Sequence, residues 1–182
     1  MPGSPPVRVA ASAAEGAGAG SLRIRTATAA DWPAVEPIFR AVVDAGETYA
    51  YPAGLTSQQA QELWLEPPPG WALVALVDGV LVGTAKAGPN RPGRGAHVGT
   101  ASFMVAAGSA RRGVGRALGE RVLARLAAEG YRAVQFNAVV ETNARAVSLW
   151  RSLGFDVVGT VPEAFDHPVH GLVGLHVMHR PL

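Results

Sequence analysis

The run Arg111-Arg112-Gly113-Val114-Gly115-Arg116 sets three arginines and two glycines at the predicted start of a helix. First-turn N–H groups of a helix have no intrahelical acceptor and carry partial positive charge, so they can face an anion. Glycine lets an oxygen reach the main chain without meeting a Cβ. The segment therefore reads as a phosphate site. A phosphate-binding P-loop would end in Gly-Lys-Ser or Gly-Lys-Thr, whereas Gly115 is followed by Arg116-Ala117. A dinucleotide fingerprint needs Gly or Ala at position 118, which is Leu, and sits on the first strand of its domain. Neither fits.

Other polar residues stand out against apolar surroundings. Glu47-Thr48-Tyr49-Ala50-Tyr51-Pro52 is a polar, aromatic loop after an apolar helix. Asn137 interrupts an apolar strand and must find partners if buried, in neighbouring groups or in a substrate carboxylate or amide. Asn143 is well suited to cap the helix that follows it. A metal site is not expected. His176 and His179 are three apart on a predicted strand, which aims them at opposite faces, and His167 and His170 flank Pro168 without an acidic or cysteine cluster.

These residues must be positioned by a regular frame. Leu22 to Thr26 alternates as a first strand, and Thr28 to Asp31 resembles a capping box for a helix burying Val35, Ile38, Phe39, Val42 and Val43. Thr56 with Gln59 repeats the box, for a short helix ended by Pro67-Pro68-Pro69-Gly70. Asp78-Gly79, between Trp71–Val77 and Val80–Ala87, predicts a hairpin. A third long strand is expected over Ala96–Val105, then a helix over 114–129 with Val114, Leu118, Val122 and Leu126 on one row. Ala133–Val140 reads as a strand, Asn143–Leu153 as a helix, and Phe155–Val161 and Leu172–Met178 as the last strands. Strand-helix-strand repeats in the second half imply a parallel crossover, and the hairpin implies antiparallel strands. An edge exposed over Leu172–Met178 is expected to allow pairing across a homodimer.

Length and composition narrow the class. The chain has 182 residues, enough for one domain with a substantial core, and residues 1–21 read as a disordered Pro/Gly/Ala/Ser extension of a domain over 22–182. Cysteine is absent, which excludes disulfides and thiolate chemistry. The net charge is only +2, with no long basic run, so nucleic acid is not an expected partner. No apolar segment has membrane-spanning length or signal-peptide character, which fits a cytoplasmic protein.

Three segments occur in order: Phe103-Met104-Val105, then Arg111 to Leu118, then Glu141 to Phe155 containing Asn143 and Leu149-Trp150. Together they resemble the GCN5-related N-acetyltransferase (GNAT) superfamily, over about Leu22 to Leu182. The Gln135–Val140 strand and the Leu149-Trp150 pair resemble its bacterial and fungal small-amine branch, some fungal members of which acetylate a proline analogue. The resemblance implies the acyl-CoA N-acyltransferase fold: an α/β, mostly antiparallel mixed sheet with a splayed parallel strand pair and helices on both faces. It implies acetyl-CoA as cofactor. Phe103, Met104 and Val105 would flank the pantetheine arm, and amides from Arg111 through Arg116, including Gly113, Val114 and Gly115, would wrap the pyrophosphate. The position three residues before the first glycine, usually Gln or Arg, is Ala110. Asn143 would reach the cofactor or a water beside it.

Amine acetylation needs a base for the ammonium and a donor for the oxyanion. The resemblance assigns the donor to the Val105 N–H, and Glu47, His97 and His176 are candidate bases, Glu47 the first of them. Trp150 stands where many relatives carry a tyrosine acid, so the thiolate would leave unprotonated or take a proton from water, Tyr49 or Tyr51. Tyr49, Tyr51, His97, Thr100 and Asn137 would line the acceptor pocket, and Thr100, where relatives acting on the proline analogue carry Asn, argues against that substrate. A small amine is the expected acceptor. The alternatives are a protein N-terminus or lysine, a coenzyme A sensor without catalysis and, more distantly, a nicotinamide-binding oxidoreductase.

Overall fold

The computed structural model describes residues 21–109 and 113–182. The expected extension, apart from Ser21, lies outside the described residues, as do Arg111 and Arg112.

Seven strands form one sheet in the order β1-β2-β3-β4-β5-β7-β6, with β1 at Leu22–Thr26, β2 at Trp71–Val77, β3 at Val80–Pro89, β4 at Val98–Val105, β5 at Ala133–Val140, β6 at Asp156–His167 and β7 at Gly171–Pro181. Every neighbouring pair is antiparallel except β4 and β5. The helices are α1 (Trp32–Ala45), α2 (Ser57–Trp64), α3 (Val114–Ala128) and α4 (Ala144–Ser152). No helix among the described residues is long and apolar enough to cross a membrane.

Two apolar layers hold this arrangement. On one face Val35, Ile38, Phe39 and Val43 of α1 pack with Trp64 of α2 against Val74 and Met104. On the other, the predicted row Val114, Leu118, Val122 and Leu126 of α3 is fully buried against β2, β3 and β5, with Trp150 and Leu153 of α4. Gly119 sets the spacing between α3 and α4: a Cβ there would lie 2.8 Å from Leu153 Cδ1 and 3.2 Å from Trp150 Cζ3.

The predicted turn chemistry operates. Asp78 (φ 51°) and Gly79 (φ 81°) both take left-handed backbone, as a two-residue I′ hairpin requires. Thr56 and Gln59 cap α2 reciprocally. Asp31 accepts from the Thr28 N–H at 2.8 Å and is gripped in a fork by Arg25, at 2.6 and 2.8 Å.

Three expectations are corrected. β4 begins at Val98, so His97 falls in the preceding turn, where its carbonyl accepts from Arg132 N–H. β6 and β7 form one long hairpin of 12 and 11 residues, extended by bulges that erase a period-two signal around Pro162. Finally, β7 is not an edge: it lies between β5 and β6, so β6 is the outer strand and the argument for a dimer through Leu172–Met178 fails.

The hydrogen bonds from Arg25, with help from Thr28, hold the Asp31 carboxyl far below the usual carboxylate range. A depressed folded-state pKa contributes stability at pH values above about 3.9, lost as the pH falls below it. Asp31→Asn is expected to lower stability at pH 7 by about 1 kcal/mol, a figure discounted for the partly exposed guanidinium. It should also flatten the acid limb below pH 4, read by urea denaturation across pH.

Candidate active site

The decisive local feature is where β4 and β5 part. They pair only at Val98 with Ala133 and Gly99 with Val134. Beyond Phe136, β5 carries a bulge at Asn137 and Ala138 that bends it. On the other flank of β4, Asn90 N–H donates to Val98 O and Ala106 N–H to Val82 O. Main-chain groups of a strand alternate sides, so those of Ala101, Phe103 and Val105 point into the gap.

One side chain meets that edge. The Tyr49 hydroxyl donates to Phe103 O and accepts from Phe103 N–H, both at 2.9 Å. Its ring stacks on Tyr51 with centroids 5.3 Å apart and meets Trp64 edge-on at 6.2 Å. Burial pushes the phenol pKa far above its ordinary value, so the group stays neutral and its proton is committed to the carbonyl.

The Phe103 ring faces the other way, onto Trp150 at 4.7 Å, and Trp150 meets Phe136 at 4.9 Å. Trp150 is therefore a buried support for the lip of β4, and Met104 is buried in the α1/α2 layer. At the C-terminal end of β4 the chain reaches Gly113, a left-handed N-cap (φ 75°) to α3. The first helical bond runs from Ala117 N–H to Gly113 O, which leaves the amides of Val114, Gly115 and Arg116 without an intrahelical acceptor. Among the described residues no side chain caps this end and no acidic residue sits in the first turn. A Cβ at Gly115 would lie 3.5 Å from Leu149 and 4.0 Å from Val105, so the bare glycine opens the space between β4, α3 and α4. This uncapped, glycine-lined helix mouth fits an anionic group. The Arg116 side chain instead reaches α4, donating to Ser152 Oγ at 2.7 Å.

Asn143 does cap α4: its Oδ1 accepts from Ala146 N–H at 3.1 Å, and among the described residues its amide nitrogen has no partner. Glu47 is exposed on the loop carrying Tyr49 and Tyr51. That loop is met by the β6–β7 tip, where Pro168 lies 3.8 Å from a Cβ built at Gly46. Asn137 is exposed, accepting from Gln135 Nε2 at 2.8 Å and donating to Asn90 Oδ1 at 2.6 Å. Thr100 shares a strand face with Met104, and His176 meets Thr160 Oγ1 at 2.7 Å. His97 lies six residues from Phe103, about 20 Å along the strand, at the closed end of the gap. The structure thus gathers Tyr49, Tyr51, Phe103, Val105, Trp150 and Gly115, and leaves His97 apart. Among the described residues no group of three or more His, Asp or Glu side chains is placed to hold a metal.

A family model described as Acetyltransferase (GNAT) family matches residues 33–155 of this chain. The chain belongs to the GNAT acetyltransferase family. A solved GCN5-related N-acetyltransferase from Kribbella flavida is 60% identical, covers 88% of this chain and 98% of its own, and superposes with a TM-score of 0.86. The N-acetyltransferase aca1 of Schizosaccharomyces pombe is 27% identical over 67% of this chain, a match that spans 66% of that relative's length. A GNAT superfamily phosphinothricin acetyltransferase from Sinorhizobium meliloti, solved in complex with AcCoA, is 23% identical and covers 88% of each chain with a TM-score of 0.80. The last likeness is one of fold, and the GNAT sheet is the one described above.

Sequence reasoning missed the Tyr49–Phe103 bonds. Their signal was weak, a tyrosine in a polar loop 54 residues before its partner. Asn143→Ala is expected to cost about 1 kcal/mol through the lost cap. If Asn143 also serves the cofactor, the variant slows acetyl transfer beyond what the shift in Tm explains.

Proposed function

We propose that this GNAT enzyme transfers the acetyl group of acetyl-CoA to the amine of a small amino compound, as in the small-amine branch resembled by Gln135–Val140 and Leu149-Trp150. The observation that carries the proposal is the open edge of β4 ending at the uncapped mouth of α3. Together they offer strand-like pairing followed by an anion cradle.

Bound acetyl-CoA supplies an activated acyl thioester. The chain's own residues do the rest. Amides of Val114, Gly115 and Arg116, with those of Arg111 and Arg112, would hold the phosphates. The inward main chain of Phe103 and Val105 would pair with the arm, and the Val105 N–H would meet the charge that develops on the carbonyl oxygen. Asn143 keeps its Oδ1 on the helix and offers its amide N–H groups to the same gap. Glu47, exposed beside Tyr49, takes the ammonium proton through water. Thr100, Asn137 and Tyr51 line the acceptor side, whereas His97 drops out because of its distance. With Trp150 buried and the Tyr49 hydroxyl engaged by Phe103, the thiolate would leave unprotonated or take a proton from water or Tyr51.

The small acceptor is favoured by the approach of Pro168, at the β6–β7 tip, to Gly46 at the root of the loop carrying Tyr49 and Tyr51, which would narrow the acceptor side. A panel of amino acids and small amines, set against peptides and assayed by thiol release from acetyl-CoA, tests this. Turnover confined to peptides overturns the small-acceptor reading. No release above background with any amine leaves a sensor. Gly115→Trp is expected to fold normally yet abolish coenzyme A binding, because the indole would fill the space between Val105 and Leu149. Unchanged affinity by calorimetry would count against the cradle.

A further inference from the structure

The proposed transfer makes no use of the Tyr49 phenol, yet that phenol is the most firmly held polar group in the cleft. A strand residue that has lost its neighbour presents one N–H and one C=O, and the single hydroxyl of Tyr49 satisfies both at Phe103. Only a neutral hydroxyl can donate and accept in this way, and burial keeps this one neutral. The phenol thus takes the role of a missing strand at one position. Its ring is held from behind by Tyr51, which stacks in turn on Phe39 at 5.7 Å. The loop leaves α1 through Gly46 in left-handed backbone (φ 65°), a joint that fixes its path toward the gap.

We infer that Tyr49 is an internal competitor for the acyl carrier and sets carrier affinity. The inference rests on the gap being the carrier's channel. An amide-bearing arm pairing with Phe103 must take both bonds now held by the phenol. Because Tyr49 and Tyr51 belong to the loop on the acceptor side, displacing the phenol reshapes the acceptor pocket. A lost competitor worth one net neutral hydrogen bond corresponds to about a fivefold gain in affinity.

Tyr49→Phe tests this with the full chain and coenzyme A as the probe. The ring stack is retained and only the hydroxyl is removed. Calorimetry is expected to show coenzyme A binding about fivefold tighter to the variant than to the wild type, and the Phe103 amide of the free variant should exchange with deuterium faster. Unchanged or weaker affinity overturns the inference. Absence of coenzyme A binding by the wild type itself overturns the carrier channel instead, and the inference falls with it. Should the variant not fold, nuclear Overhauser contacts between the Tyr49 and Trp64 rings of the wild type are expected to vanish on adding coenzyme A; their persistence overturns displacement.

Discussion

A β-sheet cannot open in its interior without leaving main-chain donors and acceptors to be satisfied, and this molecule opens between β4 and β5. Every other strand junction is zipped by antiparallel pairing. The gap is therefore a binding site by necessity: water, a side chain or a ligand has to supply what a neighbouring strand would. At Phe103 the Tyr49 hydroxyl does so. The bulge at Asn137–Ala138 bends β5 where it leaves β4.

The packing around the gap serves its geometry. Phe103 directs its ring onto Trp150 and its main chain inward, so aromatic contacts on one face fix polar groups at the edge. Gly119 admits Trp150 and Leu153 to within close contact of α3, which draws α4 against it. Trp150 is thus committed to support.

Electrostatics completes the design at the end of β4. An ordinary helix start is blunted by a Ser, Thr, Asp or Asn cap, and often by acidic residues in its first turn. The start of α3 has a left-handed glycine and bare backbone instead, leaving its positive end available. A strand edge that pairs like a peptide and a helix mouth that attracts phosphate follow one another along the chain. An amide-bearing carrier with a charged head meets both in succession.

Much of this was legible in the residues. The hairpin at Asp78-Gly79, the buried row of α3, the strand at Ala133–Val140 and the Asn143 cap all follow from local rules of backbone conformation, periodicity and capping, which act within a few residues. The phosphate reading of the glycine turn was local for the same reason. The extent of β6 and β7, the internal place of β7, the isolation of His97 and the hold of Tyr49 on Phe103 were not legible. Each depends on which strand lies beside which, and on where a bulge interrupts the register. The order of amino acids thus determined the elements and the helix mouth. Only tertiary pairing decided that a gap exists in the sheet and what fills it, because hydrogen bonding between distant segments leaves no period in the chain.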